Sequence, residues 1–341
     1  MERVRLVDWL KSERDQHVGG GLYYNSQILF AYNSNHMEGS TLSPEQTAQL
    51  FNTGALLPDN INDEIRADDV AETTNHFNAF NWVLDHVDDP VNKSLVCSLH
   101  GILKRGTSQE FDANRNVGGY KIVPNVISQL EGIHTVLPAD VPLAMKQVFS
   151  LYSQLEDDPF TIAKAHWMFE STHPFSDGNG RIGRLVMFKE LLRLDSVPAL
   201  VLDEHHNLYT RALKIFPNEP GYLVDLLLNE RDYYQRMIET YAPNRIRYSY
   251  VDQWNQADIV TPITNPYIKI DGTIPTSTNV LIRHRNPRSP DGERPVDRSA
   301  TKIGRHISIH APRMGSDSMD PASMMQAFPF QSTLPGWGAT G

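Results

Sequence analysis

Twelve consecutive residues limit this chain more than any other feature: His173-Pro174-Phe175-Ser176-Asp177-Gly178-Asn179-Gly180-Arg181-Ile182-Gly183-Arg184. The residues before them, Thr161 to Phe169, have helical apolar spacing, and so do Leu185 to Leu194 after them. The stretch therefore reads as a helix–loop–helix whose loop feeds the N-terminus of its second helix. Free backbone N–H groups and the positive end of the helix dipole gather there and favour an anion. Gly178 and Gly180 leave room for a phosphate against the backbone and permit positive φ. Asn179 between them adds a side-chain amide donor. Asp177 stands where a carboxylate could hold Mg²⁺, which takes one or two protein carboxylates and completes its shell with phosphates and water. Arg181 and Arg184 lie on adjacent ridges of the first helical turn, and their planar forks suit bidentate phosphate contacts. His173 has the near-neutral pKa of a general base. Phe175 is expected to anchor the loop in the core.

Any one of these features has an ordinary explanation. A Gly-Asn-Gly is usually a turn, and a histidine before proline is usually a loop residue. An arginine at a helix N-terminus, however, is unfavourable unless something anionic compensates it, and here there are two.

The stretch resembles the signature of the Fic family, His-x-Phe-x-(Asp/Glu)-Gly-Asn-Gly-Arg-x-x-Arg, and matches it at every fixed position. The resemblance implies an all-α fold, a Fic-type helical bundle with a small β-hairpin flap, that transfers AMP from ATP to a Ser, Thr or Tyr hydroxyl of a protein. On that resemblance His173 is the general base and Asp177 the Mg²⁺ ligand. Gly178, Asn179 and Gly180 form the anion hole for the α- and β-phosphates. Arg181 and Arg184 clamp the phosphate chain, with Arg184 reaching the γ-phosphate. Tyr209 lies near the nucleotide base.

A second resemblance sits upstream. Ser34-Asn35-His36-Met37-Glu38-Gly39 reads by itself as a helix end followed by a glycine stop. It is similar to the inhibitory motif (Ser/Thr)-x-x-x-Glu-(Gly/Asn) of many Fic proteins, with Ser34, Glu38 and Gly39 at the matching positions. The resemblance implies that Glu38 pairs with Arg184 and takes the space and counter-charge meant for the γ-phosphate. Removal of AMP from a modified protein, with Glu38 positioning a water, would use the same residues. Transfer of another phosphate-linked group, or a scaffold that only binds nucleotides, are further alternatives.

Composition narrows the field. A net charge of −10 argues against a general nucleic-acid binder. The lone cysteine, Cys97, excludes an internal disulfide framework and a cysteine-rich zinc site. No apolar run approaches the length of a membrane span, and no apolar signal core follows Met1. A cytoplasmic location is the expectation, with no membrane partner and with the chain as monomer or homodimer.

Helices are expected over Leu6 to Ser12, Leu22 to Tyr32, Asp68 to His86, Val91 to Lys104, Val141 to Leu155, Leu202 to Ile215 and Gly221 to Tyr241. Ser43-Pro44-Glu45-Gln46 spells a capping box with proline at the first helical position, and Gly54 ends that helix. The rhythm breaks between Phe111 and Val136. There the family resemblance places the flap, with a protein target docked by main-chain pairing around residues 118–135. The expected divisions are N-terminal helices over 1–60, a catalytic core over 61–245, an extension over 246–284 and a disordered tail over 285–341.

That tail carries an oddity. Asn286 to Arg294, Ser308 to Asp317 and Gln331 to Thr340 share little as protein. Back-translated, all three fit one DNA string read in its three frames. Their offsets of 22 and 23 residues, with the change of frame, both give a DNA period of about 68 nucleotides. The reading frame is thus expected to run into a regularly spaced DNA repeat array, giving a tail not selected to pack. Sequencing the locus should reveal the same repeat at that period in the DNA. Its absence would leave a proline-rich interaction tail as the explanation.

Overall fold

In a computed structural model of the chain, the described residues are 3–56, 65–125, 135–255 and 263–267, all within the unit Met1–Asn286. They form ten α-helices: α1 (Leu6–Asp15), α2 (Leu22–His36), α3 (Pro44–Thr53), α4 (Ala67–Asp85), α5 (Lys93–Leu103), α6 (Val141–Ser153), α7 (Pro159–Thr172), α8 (Asn179–Arg193), α9 (His206–Ile215) and α10 (Gly221–Tyr241). The strands among the described residues are β1 (Val4–Arg5) and β2 (Ile246–Arg247), paired in parallel. The expected disordered tail lies outside the described residues.

The bundle is built around α8. All of its residues from Asn179 to Leu192 are buried, so it has no polar face to give to solvent. Phe188 on α8 packs with Phe30 of α2 and Phe80 of α4, and Tyr234 of α10 meets it edge-on at 5.7 Å. Aromatic rings in such tilted and edge contacts bury large areas and fix the angles between helices. α2 is largely embedded: Leu22, Phe30 and Ala31 have 1% exposure or less, and Ser26 Oγ shares a 2.7 Å hydrogen bond with Tyr234 OH.

Local signals set the boundaries. Ser43 caps α3, with its side chain accepting from Gln46 N and Gln46 reciprocating, and Gly54 closes that helix in the left-handed region. Asp158 caps α7 ahead of Pro159, through a 2.8 Å bond from Thr161 N. α8 begins six residues earlier than the apolar pattern suggested, because the motif itself forms its first turn. The flap expected around residues 118–135 is described at residues 118–125 and 135, which form no strand; residues 126–134 lie outside the described residues. Asn125 and Thr135 meet through Thr135 Oγ1 donating to Asn125 O.

Described residues beyond α10 also meet the core. Asn265 Nδ2 donates to Ser171 Oγ and Thr172 Oγ1 at the end of α7, and Ile263 is buried.

Three histidines sit in this interior without exposure: His76, His100 and His166. His76 packs edge-on against Phe30 at 5.1 Å. Burial, followed by the two motif arginines, depresses its pKa to about 3. Burial likewise takes His166 to about 3 and His100 to about 4. Each is neutral in the folded chain but would protonate below pH 6.5 once unfolded. Their contribution is therefore intact above about pH 6.5 and shrinks as pH falls, by about 1.4 kcal/mol per pH unit per histidine. The unfolding free energy, followed by urea titration, should drop steeply between pH 6.5 and pH 5. His76→Phe should make that drop shallower by about one histidine's share, a change of about 2 kcal/mol over the interval.

Candidate active site

α7 ends at Thr172, and His173 turns the chain with φ 51° and ψ 60°, a left-handed conformation unusual for a residue with a side chain. Pro174 cannot continue a helix, and the loop runs to Gly178, whose φ of 78° opens α8. Phe175 is fully buried and stacks on His100 at 4.3 Å. Asn179 does not offer its side chain outward, as the sequence had suggested. Its Oδ1 accepts from Phe175 N at 2.8 Å and its Nδ2 donates to Phe175 O at 3.0 Å. The side-chain amide is consumed in holding the loop, so the donors left at this helix start are main-chain N–H groups.

Residues 118–125 are tied to this loop and to α5. Lys121 N donates to Pro174 O, Asn125 Nδ2 donates to Phe175 O, and Gly118 N donates to His100 Nδ1. Lys121 is buried with its ammonium on Asn125 Oδ1 and Thr135 Oγ1, and burial lowers its pKa to about 7. His173 feels burial first and then Lys121, which together bring its pKa down to about 4. It is neutral at pH 7, and its Nδ1 is buried without a hydrogen-bond partner among the described residues.

The two arginines are buried, and each has an anionic partner. Arg184 Nε donates to Ser34 Oγ at 3.0 Å; its Nη2 donates to Ser34 O and to Glu38 Oε1, both at 2.9 Å. Its guanidinium lies 5.9 Å from the Tyr209 ring centre. Tyr209 itself is 3% exposed, with its hydroxyl 2.7 Å from His166 Nε2, so it backs Arg184 rather than lining an open pocket. Arg181 Nη1 pairs with Glu72 of α4, and its Nη2 lies 3.5 Å from Asp177 Oδ2.

Glu38 occupies the turn after α2, where Gly39 takes φ 90°. Arg66 donates to Gly39 O and pairs with Asp69, whose carboxylate accepts from Thr41 N, so this turn is held from both sides. Burial would raise the Glu38 pKa, but Arg184 and Arg181 outweigh it and keep the carboxylate ionised. A Cβ added at Gly180 would fall on Glu38 Oε1 and lie 2.8 Å from Arg184 Nη1. The glycine that would admit a phosphate is thus covered by a carboxylate.

Asp177 keeps 34% of its side chain exposed. Its Oδ2 accepts from Lys104 Nζ and, at 2.8 Å, from Gln109 Nε2. Burial alone would raise its pKa; Lys104 and then Arg181 hold it well below the usual carboxylate range. Oδ1 receives no hydrogen bond among the described residues, and no cluster of three or more metal-ligating side chains occurs among them. A single open carboxylate oxygen beside an anion cradle fits Mg²⁺ delivered with phosphates, and does not fit a cage made of protein alone. Sequence reasoning missed Lys104, Glu72 and Gln109, because nothing in their local patterns separates them from surface residues.

Residues 90–191 match the model of the Fic/DOC family. Residues 90–191 carry a Fic domain. Over 196 residues the chain is 24% identical to the protein adenylyltransferase Fic of Aedes aegypti, covering 55% of this chain and 36% of that protein. Over 53 residues it is 40% identical to the protein adenylyltransferase Fic of Culex quinquefasciatus, covering 16% of this chain and 11% of that one. The chain therefore spans about a third or less of the length of these curated relatives. The fold is similar to that of a Fic domain containing signaling protein from Bacteroides thetaiotaomicron, with TM-score 0.56 and 21% identity over 73% of this chain and 99% of that one. A Fic family protein from Desulfovibrio desulfuricans gives 0.54 and 21%, over 69% and 72%. No helix among the described residues is long and apolar enough to cross a membrane.

Asn179→Ala would remove both bonds to Phe175 and leave a buried N–H unsatisfied, and should cost about 2 kcal/mol of unfolding free energy in urea titrations. An unchanged midpoint would mean that the loop closes without this side chain.

Proposed function

We propose that this chain is an ATP-dependent protein adenylyltransferase held in check by Glu38. The observation that carries the reading is that Glu38 Oε1 sits over Gly180 and on Arg184, at the start of a helix otherwise equipped for phosphates. With that carboxylate moved aside, the main-chain N–H groups of the first turn of α8 would face the phosphate chain. Arg184, already desolvated and held by Ser34, would exchange one anion for another. Arg181, tied to Glu72, would balance the neighbouring charge. Preorganised donors of this kind need little rearrangement as charge builds on the leaving group.

His173 is neutral at pH 7 and lies where the loop meets the flap flanks. In this reading it accepts the proton of a protein Ser, Thr or Tyr hydroxyl as that oxygen bonds to the α-phosphorus and the bond to pyrophosphate breaks. The target would lie beside residues 118–135. A Mg²⁺ ion held by Asp177 would supply charge neutralisation on the phosphates.

Labelling with α-labelled ATP and Mg²⁺ tests the reading. Intact protein should label weakly, Glu38→Gly at least about tenfold more, and Glu38→Gly with His173→Ala not at all. If Glu38→Gly labels nothing, while the intact protein strips AMP from a modified protein, the reaction runs in the removal direction instead.

The pH dependence gives an independent check. A His173 with its pKa depressed to about 4 remains a competent base at every pH above about 5. The rate of Glu38→Gly should be flat from pH 8 to pH 6, where an unperturbed histidine would already have lost much of its activity. An inflection near pH 6.5 would contradict the assignment.

A further inference from the structure

Lys104 is outside the motif and ends α5, yet its side chain is fully buried. Its ammonium bridges Glu72 Oε1 of α4 and Asp177 Oδ2 of the loop. The other Glu72 oxygen takes Arg181, which also approaches Asp177. Two carboxylates and two cations thus alternate under the phosphate loop. The stem of Lys104 forms part of its floor: a Cβ added at Gly178 would lie 3.3 Å from Lys104 Cε.

Burying a lysine is costly unless its charge is paired and its three N–H donors are bonded. Here the second partner is the one carboxylate of the motif. A divalent ion on Asp177 Oδ1 would face a resident ammonium across the same carboxylate, and the two cations would repel.

We propose that Lys104 is a resident cation of the phosphate site, which supplies at Asp177 part of the charge that a divalent ion would otherwise bring. The site then binds nucleotide with little dependence on Mg²⁺ and holds a free divalent ion weakly. This rests on the reading of the loop as a nucleotide site.

The test uses the full chain with Glu38→Gly, so that the site is clear, and compares Lys104 with Lys104→Met. Calorimetry measures ADP affinity in EDTA and in saturating Mg²⁺; electron paramagnetic resonance measures Mn²⁺ binding without nucleotide. With Lys104 present, EDTA should weaken ADP binding by less than about tenfold. With Lys104→Met, EDTA should weaken it by about a hundredfold or more, and Mn²⁺ should bind about tenfold tighter. A hundredfold need for Mg²⁺ with Lys104 in place, or no change in either quantity on its removal, overturns the proposal. Should Lys104→Met fail to fold, the first comparison decides alone. Should ADP bind in neither condition, the nucleotide reading itself fails, and Mn²⁺ tightening or its absence still decides the role of Lys104.

Discussion

Two arginines at the start of a buried helix need anions, and much of the site architecture answers that need. The N-terminal end of α8 already carries the positive end of its dipole, and Arg181 and Arg184 add two full charges to it. Without compensation this would be among the least favourable places in the bundle for a cation. Glu38 arrives from the turn after α2, Glu72 from α4 and Asp177 from the loop itself. The packing of α2 and α4 on α8, through Phe30, Phe80 and Phe188, is what carries two of these three carboxylates into place.

The same constraint explains how the proposed restraint could be both firm and reversible. Removing one partner of a buried ion pair is destabilising, so Arg184 is not left alone at any time. It is held by Ser34 as well as Glu38, and the Ser34 bonds do not depend on the Glu38 carboxylate. Helix α2 is embedded in the core, whereas Glu38 stands beyond its end, on a turn closed by Gly39. Arg66, on Gly39 and Asp69, ties that turn to the start of α4.

Asn179, Lys121 and His100 show a second economy. Each has a polar group that could have faced a ligand, and each uses it to fasten the loop or the flap flanks. Polar groups spent in this way fix main-chain positions, and main-chain N–H groups are then the donors presented to an anion. Precision at such a site comes from the groups that hold it.

The sequence by itself determined the motif, its place between two helices, most of the helices and the capping of α3. These depend on local periodicity, turn chemistry and spacing, all of which are written along the chain. It also marked Ser34, Glu38 and Gly39 as a group, though only through resemblance. Tertiary structure decided what surrounds them. That Glu72 and Lys104 lie under the loop, that His76 is interior, and that residues 263–267 return to α7 follow from helix packing between residues far apart in the chain. A lysine at the end of an apolar helix looks the same in sequence whether it meets water or a carboxylate. Only the assembled bundle, by excluding water from that position, turns Lys104 from a surface cation into part of the site.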